Sequence, residues 1–416
     1  MKKILITFLT LIFVVSTNIQ VFAATSIDQS RSIIDDNVRK IIDNYIQYRQ
    51  DSFNIAENKI ATSPKESILK NRTKNNLIFS DEQTRASKLQ KLEKKLNIKL
   101  NTAKTTAEIK DITYDGNSAV VTVYEWTFVD YTGEKGLVDT FGYGVDHILN
   151  LTIDKNNVTL VSDIYNEGPL TEMSSSSYIA TNIDTNTNKT PITDTKVAAV
   201  NPLNTAPANL TPKITSANGV ISPMQVVGFS FSRSAVAAYA NQWVKHTDVR
   251  GIYASYYNPA YKNYNPNGGD CANYVSQCIV QSLPQIGKNK LSNTFPAWWY
   301  NNKGTSSTSD DSVSTDWTWT SADANKKGMA ANFGPEKINP ANSDIQIGDP
   351  IYANWDGEGS KWDHAFICVG MNKDGKPIIN SHNNDYYHVY WKYGDSSTKY
   401  TVIQIPDIVY IDASKL

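Results

Sequence analysis

The residues best suited to chemistry in this sequence are a cysteine and two histidines in its second half. Cys271 follows the turn-forming run 265–269 and Asp270, and begins an apolar segment with helical spacing through Ile279. We expect Asp270 to cap this helix, and the N–H groups and dipole of its first turn to favour the thiolate form of Cys271. A thiolate is a nucleophile, and the same N–H groups can stabilise an oxyanion.

A base for this thiol is expected from the strands that follow. The segment 347–353 is typical of a turn into a strand, and His364 opens a short apolar strand. After a hairpin turn at 372–376 the chain returns to His382, which the pairing brings back toward His364. A polar residue beside a histidine base fixes its tautomer and orientation. The sequence therefore predicts Cys271 as nucleophile, His364 as base and His382 as the orienting residue.

The region 227–416 resembles the putative amidase domain family of secreted proteins from spore-forming Gram-positive bacteria. Four stretches carry the resemblance: the helix 235–244, Gly-Gly-Asp-Cys-Ala-Asn-Tyr-Val-Ser-Gln-Cys at 268–278, Asp-His-Ala at 363–365, and Ser-His at 381–382. More broadly, the region is similar to NlpC-type and CHAP-type papain-like peptidases and amidases, in which a helix-borne Cys faces a His on a sheet. The resemblance implies a papain-like domain that hydrolyses amide bonds, often in cell-wall peptides, through a thioester and without a metal or other cofactor.

The resemblance leaves two parts of the site open. His382 matches the third residue of NlpC-type proteins, whereas other papain-like members use Asn, Asp or Glu. Three residues fit those alternatives: Asn380, Asn383 and Asp385. NlpC-type sequences also place a tyrosine before the cysteine, near the oxyanion site, and three tyrosines qualify: Tyr257, Tyr261 and Tyr264. Four residues are expected at the oxyanion or the substrate: Asp270, Tyr264, Asn383 and Trp362.

Two other functions compete with a cysteine hydrolase. Zinc hydrolysis could use His364, His382, His388 and Asp385, but the sequence has no HExxH helix, paired CxxC or His-x-His spacing. The non-enzymatic alternative is a secreted module that binds glycan or cell wall. Seven of the nine tryptophans lie between 298 and 391, and exposed Trp rings can stack on sugars, although buried Trp is commoner. Such a module would be indifferent to the loss of Cys271.

The first half of the chain shows a different architecture. Apolar residues at three- and four-residue steps predict an amphipathic helix within 26–54, and Ser80 is expected to cap a second helix. From about 106 to 166 the period becomes two, which predicts an antiparallel sheet. This α+β domain, 24–170, resembles cystatin-like and nuclear-transport-factor-like folds. We expect His147 to be structural there, and the domain to have a structural, binding or regulatory role, such as a pro-region that blocks the cleft.

The segments outside the two predicted domains indicate where the protein is located in the cell or outside it. Residues 1–23 begin with Lys2 and Lys3 and continue as an apolar run of about a dozen residues, which is typical of a signal peptide and too short to span a bilayer. The segment 171–226 is rich in Ser, Thr, Asn and Pro and is predicted to be a linker before the domain 227–416. The sequence therefore predicts a secreted, extracellular protein, associated with the cell wall, with no membrane span after signal removal.

Composition limits the partners. The 40 Lys and Arg and 41 Asp and Glu give a net charge of −1, which argues against nucleic acid. Only three cysteines are present, so a disulfide-stapled scaffold is excluded. Cys278 is about 10 Å along a helix from Cys271, too far for a disulfide, while pairing of Cys278 with Cys368 stays open. The expected partner is peptidoglycan or another amide or peptide substrate, and the oligomeric state is not specified by the sequence.

Overall fold

The computed structural model describes residues 32–51, 77–165, 226–245, 256–267, 269–283, 295, 298–302, 305, 307–383, 385–394 and 396–412. The predicted signal peptide, 1–23, lies outside the described residues. So does the predicted linker 171–226, apart from Val226. None of the helices in the described part of the chain has both the length and the apolar character needed to cross a membrane.

The chain divides into two compact units. The first contains the described residues up to Ala86 together with Lys104–Glu125 and Asp146–Tyr165. The second contains Ser87–Ala103, Trp126–Val145 and the described residues from Val226 onward. Helices and antiparallel strands occur in both units, which confirms the predicted α+β class.

The first unit is a helix packed on an antiparallel sheet. Its elements are α1 (32–51), the start of α2 (Leu77–Leu96), and parts of β1 (Lys99–Asp115), β2 (Ser118–Thr132), β3 (Val138–Asp154) and β4 (Asn157–Tyr165), paired in the order β1-β2-β3-β4. Val38 and Tyr45 of α1 share a buried core with Val121 and Leu149 of the sheet, as the period-two pattern predicts. The prediction that Ser80 caps α2 is wrong, because the helix begins at Leu77 and Ser80 lies inside its first turn.

A cluster of charged side chains is buried beside this core. Arg49 donates to Glu125 at 2.6 Å and also bonds to Glu82. His147 bonds to Asp163 at 2.8 Å through Nδ1. Burial alone would lower the pKa of His147, but the charge of Asp163 and hydrogen bonds to carboxylates raise it to about 9. Buried charges are stable only when they are paired in this way, so His147 has the structural surroundings expected for it.

The second unit packs helices against antiparallel strands. Its remaining elements are β5 (Val226–Ser230), α3 (Arg233–Gln242), α4 (Cys271–Gln281), β6 (Tyr300–Asn301), β7 (Ser312–Val313), α5 (Ala322–Asn332), β8 (Glu336–Ile338), β9 (Pro350–Asn354), β10 (His364–Met371), β11 (Pro377–Ser381), β12 (Tyr386–Tyr390), β13 (Lys399–Ile403) and β14 (Ile408–Asp412). The central strands lie in the order β12-β11-β10-β9-β13-β8, and β5 pairs with β14. The predicted hairpin before His382 is the antiparallel pair β10–β11.

Helix α4 is the buried centre of this unit. Every residue from Cys271 to Val280 is buried, because α3, α5 and β10 pack around it. Helix α3 overlaps the expected helix 235–244 but begins at Arg233, with the Ser232 hydroxyl accepting from the Ala235 N–H at 3.3 Å. Cys278 lies fully inside the core, and all three cysteines are free thiols, so Cys278 is not paired with Cys368. A completely enclosed helix can hold its first residue in a fixed place, and that residue is Cys271.

Candidate active site

Cys271 occupies the first position of α4 and faces the start of β10. The backbone N–H groups of Ala272 and of Ala365, the residue after His364, direct hydrogen bonds at its sulfur. Only 7% of Cys271 is exposed, and burial raises the pKa of its thiol to about 11 despite those N–H groups. The predicted thiolate is therefore wrong for this state of the molecule, because desolvation of the charged sulfur outweighs the helix terminus.

His364 opens β10, as predicted, and its register partner on β9 is Ala353. Its ring lies 4.7 Å from the ring of Phe366 and 5.8 Å from that of Trp355, measured between centroids. Burial, with the charge of His382 added to it, lowers the pKa of His364 to about 3. The imidazole is consequently neutral throughout the physiological pH range, and in this closed state of the site it is a weak base.

The partner of the His364 ring is a hydroxyl rather than another histidine. His364 Nε2 lies 2.9 Å from Ser381 Oγ. The single hydroxyl proton of Ser381 is donated to the carbonyl oxygen of His382, at 3.1 Å. With the hydroxyl proton placed in this way, Ser381 Oγ accepts from Nε2–H, and a neutral His364 with its proton on Nε2 has a bare Nδ1. This arrangement leaves Nδ1 as the basic atom.

His382 is bonded elsewhere. Its Nδ1 lies 2.8 Å from Asp270 Oδ2 and its Nε2 lies 2.6 Å from the carbonyl oxygen of Trp243. The ring stacks on Tyr274 with 4.1 Å between centroids. Both ring nitrogens are thus occupied, and the position beside His364 that the sequence predicts for His382 is taken by Ser381.

Asp270 connects several parts of the predicted site, although not as a cap. It stands at the N-cap position of α4 but its carboxylate makes no bond to the first-turn backbone, so the predicted side-chain cap is wrong. Its Oδ1 accepts instead from the Tyr264 N–H and from Asn273 Nδ2, each at 2.8 Å. Its own N–H donates to Asn383 Oδ1. Tyr264 and Asn383 therefore lie next to the cysteine helix, and both hold Asp270.

The remaining predicted residues make other contacts within the second unit. Asn380 bonds to Asn241 of α3 and accepts from the His388 N–H. Asp385 is buried and lies close enough to His382 to raise its pKa. Trp362 is partly buried against the second-unit core, with the Lys326 ammonium 5.4 Å from its ring.

The three candidate tyrosines differ in their contacts. The ring of Tyr257 lies 4.8 Å from that of His382, whereas Tyr261 packs on Tyr300, 5.0 Å away. The Tyr264 side chain is buried, and its pKa is raised to about 12 by that burial. Tyr264 is the one whose backbone contacts Asp270, the neighbour of Cys271.

The region that carries these groups is similar to a known protein family. Residues 230–405 match the family model described as "Putative amidase domain". The match includes Cys271, His364, Ser381 and His382, and it covers less than half of the chain. It suggests a hydrolase that acts on amide bonds.

Other comparisons add little. No curated protein matches the chain. A solved structure, "Crystal structure of intermembrane space region of chloroplast protein ARC6", is similar at 12% identity over 31% of this chain and 92% of that one, with a TM-score of 0.20. A similarity this low carries no argument about fold or function.

The described residues also bear on the two alternative functions, zinc hydrolysis and glycan binding. In that part of the chain, no three His, Cys, Asp or Glu side chains are grouped so that they could hold a metal ion. Trp298, Trp319 and Trp391 are buried, whereas Trp317 is 51% exposed. The glycan-binding alternative therefore depends on Trp317 more than on the tryptophan-rich composition.

Proposed function

We propose that this protein is a secreted, cysteine-dependent amidase with a papain-like site in its second unit. The observation that supports this most directly is the contact of a cysteine at a buried helix N-terminus with the strand that begins at a neutral histidine. The sulfur of Cys271 meets the N–H of Ala365, and His364 stands one residue earlier. Amide hydrolysis is the chemistry suggested by the family match at 230–405.

The proposed reaction begins with a proton transfer from the thiol of Cys271 to Nδ1 of His364. The sulfur then attacks the amide carbonyl carbon, and its electron pair forms the C–S bond while the carbonyl π electrons move to oxygen. The N–H groups that point at the sulfur, those of Ala272 and Ala365, are the candidates to stabilise the resulting oxyanion.

Collapse of this intermediate breaks the C–N bond. His364 returns its proton to the leaving amine, and a thioester remains on Cys271. Water, deprotonated by the same imidazole, hydrolyses the thioester and restores the thiol. The role of Ser381 is to hold the proton on Nε2, so that Nδ1 is free in both half-reactions.

Substrate access requires a change around the two side chains, since Cys271 is 7% and His364 is 6% exposed. Trp355 is the half-buried aromatic next to the His364 ring, at 5.8 Å, and the segment 356–361 that follows it is largely exposed. We propose that displacement of Trp355 admits the substrate. Trp362, at the other end of that segment, would then line the opening.

We propose cell-wall peptide as the substrate, because a secreted protein meets the wall first. The test is a digest of Gram-positive peptidoglycan by the mature protein, with mass spectrometry of the released fragments. Cys271→Ala is compared with Cys278→Ala, which removes a thiol from the same helix. Release by wild type and Cys278→Ala but not by Cys271→Ala supports the proposal. Release by Cys271→Ala as well would contradict it.

A binding module is the second candidate, and one observation favours it. Trp317 is half-exposed and holds a left-handed backbone angle, φ of 59°, which is strained for a bulky residue. If the protein acts by binding, Trp317→Ala should abolish its retention on insoluble peptidoglycan while Cys271→Ala leaves retention unchanged. An amidase should show the dependence on Cys271 in the digest described above.

A further inference from the structure

A chain of hydrogen bonds connects the residue before the nucleophile with the ring of the base. Asp270 Oδ2 bonds to His382 Nδ1 at 2.8 Å. The carbonyl oxygen of His382 accepts from Ser381 Oγ at 3.1 Å, and Ser381 Oγ accepts from His364 Nε2 at 2.9 Å. His382 is the one residue that contributes both its side chain and its backbone to this chain.

The hydrogen bonds of His382 determine its protonation state. Its two partners are a carboxylate and a peptide carbonyl, and neither can donate a proton to a ring nitrogen at neutral pH. Both ring nitrogens must therefore carry hydrogen, so the side chain is an imidazolium. Burial would lower the pKa of His382, but the hydrogen bond and charge of Asp270 raise it above its ordinary value.

Two carboxylates among the charged and titratable groups around this ring favour that state. Asp270 faces it from the start of α4, and Asp385 faces it from the turn between β11 and β12. Tyr274 stacks on the ring from α4, and Tyr257 approaches at 4.8 Å. On the remaining side stands Tyr256, at 6.1 Å, against which Lys245 packs. His364 also feels the charge of His382, since this charge contributes to its lowered pKa.

The same contacts join three separate elements. Through Trp243 the ring holds the C-terminal end of α3, and through Asp270 it holds the first turn of α4. Its main chain continues directly from β11. Loss of the ring would leave the Asp270 carboxylate buried with one fewer donor, which is a costly arrangement.

We propose that His382 is a positioning residue: a permanently charged imidazolium that locks the first turn of the Cys271 helix to strand β11 and, through Ser381, fixes the ring of His364. Its contribution to catalysis rests on the proposed function. Its charge and its locking of the two elements do not, and they can be measured without a substrate. The orienting role predicted from the sequence places His382 in direct contact with His364, whereas in the structure the connection runs through Ser381.

The first test is the protonation state. Imidazole nitrogen NMR of the full-length protein labelled with ¹⁵N-histidine should show both nitrogens of His382 protonated from pH 5 to pH 8, with the signal assigned by its loss in His382→Asn. Asp270→Asn keeps the side-chain size and removes the charge, so it should convert this signal to that of a neutral ring at pH 7. A neutral His382 in the wild-type protein at pH 7 would overturn the proposal.

The second test separates positioning from simple structural damage. Asn at 382 can still donate to Asp270, so His382→Asn should recover part of the kcat lost in His382→Ala, while KM stays within about twofold. We expect a loss of about a hundredfold in kcat for His382→Ala, as for other small displacements of reacting groups. Full kcat in a folded His382→Ala would refute positioning. If the wild type cleaves no amide at all, the proposed function fails. The NMR experiment does not depend on a substrate and still determines whether His382 is charged and bonded to Asp270.

Discussion

The reactivity of Cys271 should rise steadily with pH and show no plateau near neutrality. Burial raises the pKa of its thiol to about 11 and lowers that of His364 to about 3. Between those values both groups are neutral in the resting protein. Only the small thiolate fraction can react with an electrophile, and this fraction grows tenfold for each pH unit.

The size of the effect follows from the shift. Raising the thiol pKa from 9.0 to about 11 reduces the thiolate fraction at pH 7 about a hundredfold, equivalent to about 3 kcal/mol. A thiolate of higher pKa is more nucleophilic toward disulfides, so the rate per thiolate rises roughly tenfold and offsets part of this loss. We therefore expect Cys271 to react roughly tenfold more slowly at pH 7 than a reference thiol of pKa 9, before any steric shielding is counted.

The assay is the reaction with neutral dithiodipyridine, followed by absorbance between pH 5 and pH 9. Cys278 and Cys368 are replaced by Ala so that Cys271 is the sole thiol, and the further replacement Cys271→Ala supplies the background. The logarithm of the rate should increase with pH with a slope near one. A flat rate between pH 5 and pH 7, or a rate above that of the reference thiol at pH 7, would refute this reasoning, because either indicates a resting thiolate–imidazolium pair.

Three further predictions concern the base and the first unit. Ser381→Ala should lower kcat at least tenfold with little change in KM, because His364 would lose the acceptor that holds Nε2–H. Ser381→Thr should retain most of kcat. Equal rates in the wild type and both variants would contradict the tautomer assignment. Arg49→Met removes the cation that Glu82 and Glu125 share and leaves these buried carboxylates with Arg85 and His147 as their cations, so denaturant titration should show a loss of about 3–5 kcal/mol. His147 binds its proton more tightly when folded, with a pKa of about 9 against 6.5. Its contribution to the free energy of unfolding, measured against His147→Gln, should be fully present below pH 6.5 and should fall by about 3 kcal/mol by pH 9.

The location of the site could be predicted because its signals are local. A turn followed by an apolar helix places Cys271, and a short strand after a Gly-rich turn places His364. The alternating pattern of the first unit similarly predicts its sheet, and the buried core of α1 follows from its three- and four-residue spacing. These features depend on residues within one or two elements of each other.

The orienting residue could not be predicted because the strand register shifts. Cys368 pairs with Ile379, but Gly370 pairs with Ile378, so one residue of β10 is left without a register partner. A shift of one residue exchanges the two faces of a strand. In the structure Asn380 and His382 bond to residues of or just beyond α3, and Ser381 between them meets His364. Nothing in the spacing of the sequence marks such a bulge.

The protonation states of the site residues also could not be predicted from the sequence, because they depend on how deeply each side chain is buried. A helix N-terminus favours a thiolate only where water or a cation helps to hold the charge, and Cys271 is enclosed by β10 and its neighbours. The buried cluster of the first unit shows the same limit. Arg49 meets Glu125 across 76 residues and Glu82 across 33, separations at which no local pattern indicates contact.

The most direct test of a cysteine-dependent amidase is the capture of its thioester. Wild-type protein mixed with an amide substrate that it cleaves is quenched in acid, and its intact mass is compared with that of Cys271→Ala and Cys278→Ala. The account predicts an added mass equal to the acyl part of the substrate in wild type and Cys278→Ala, removed by hydroxylamine and located on the peptide that contains Cys271. Cleavage of the same amide at the wild-type rate by Cys271→Ala, with no adduct on any of the proteins, would contradict it.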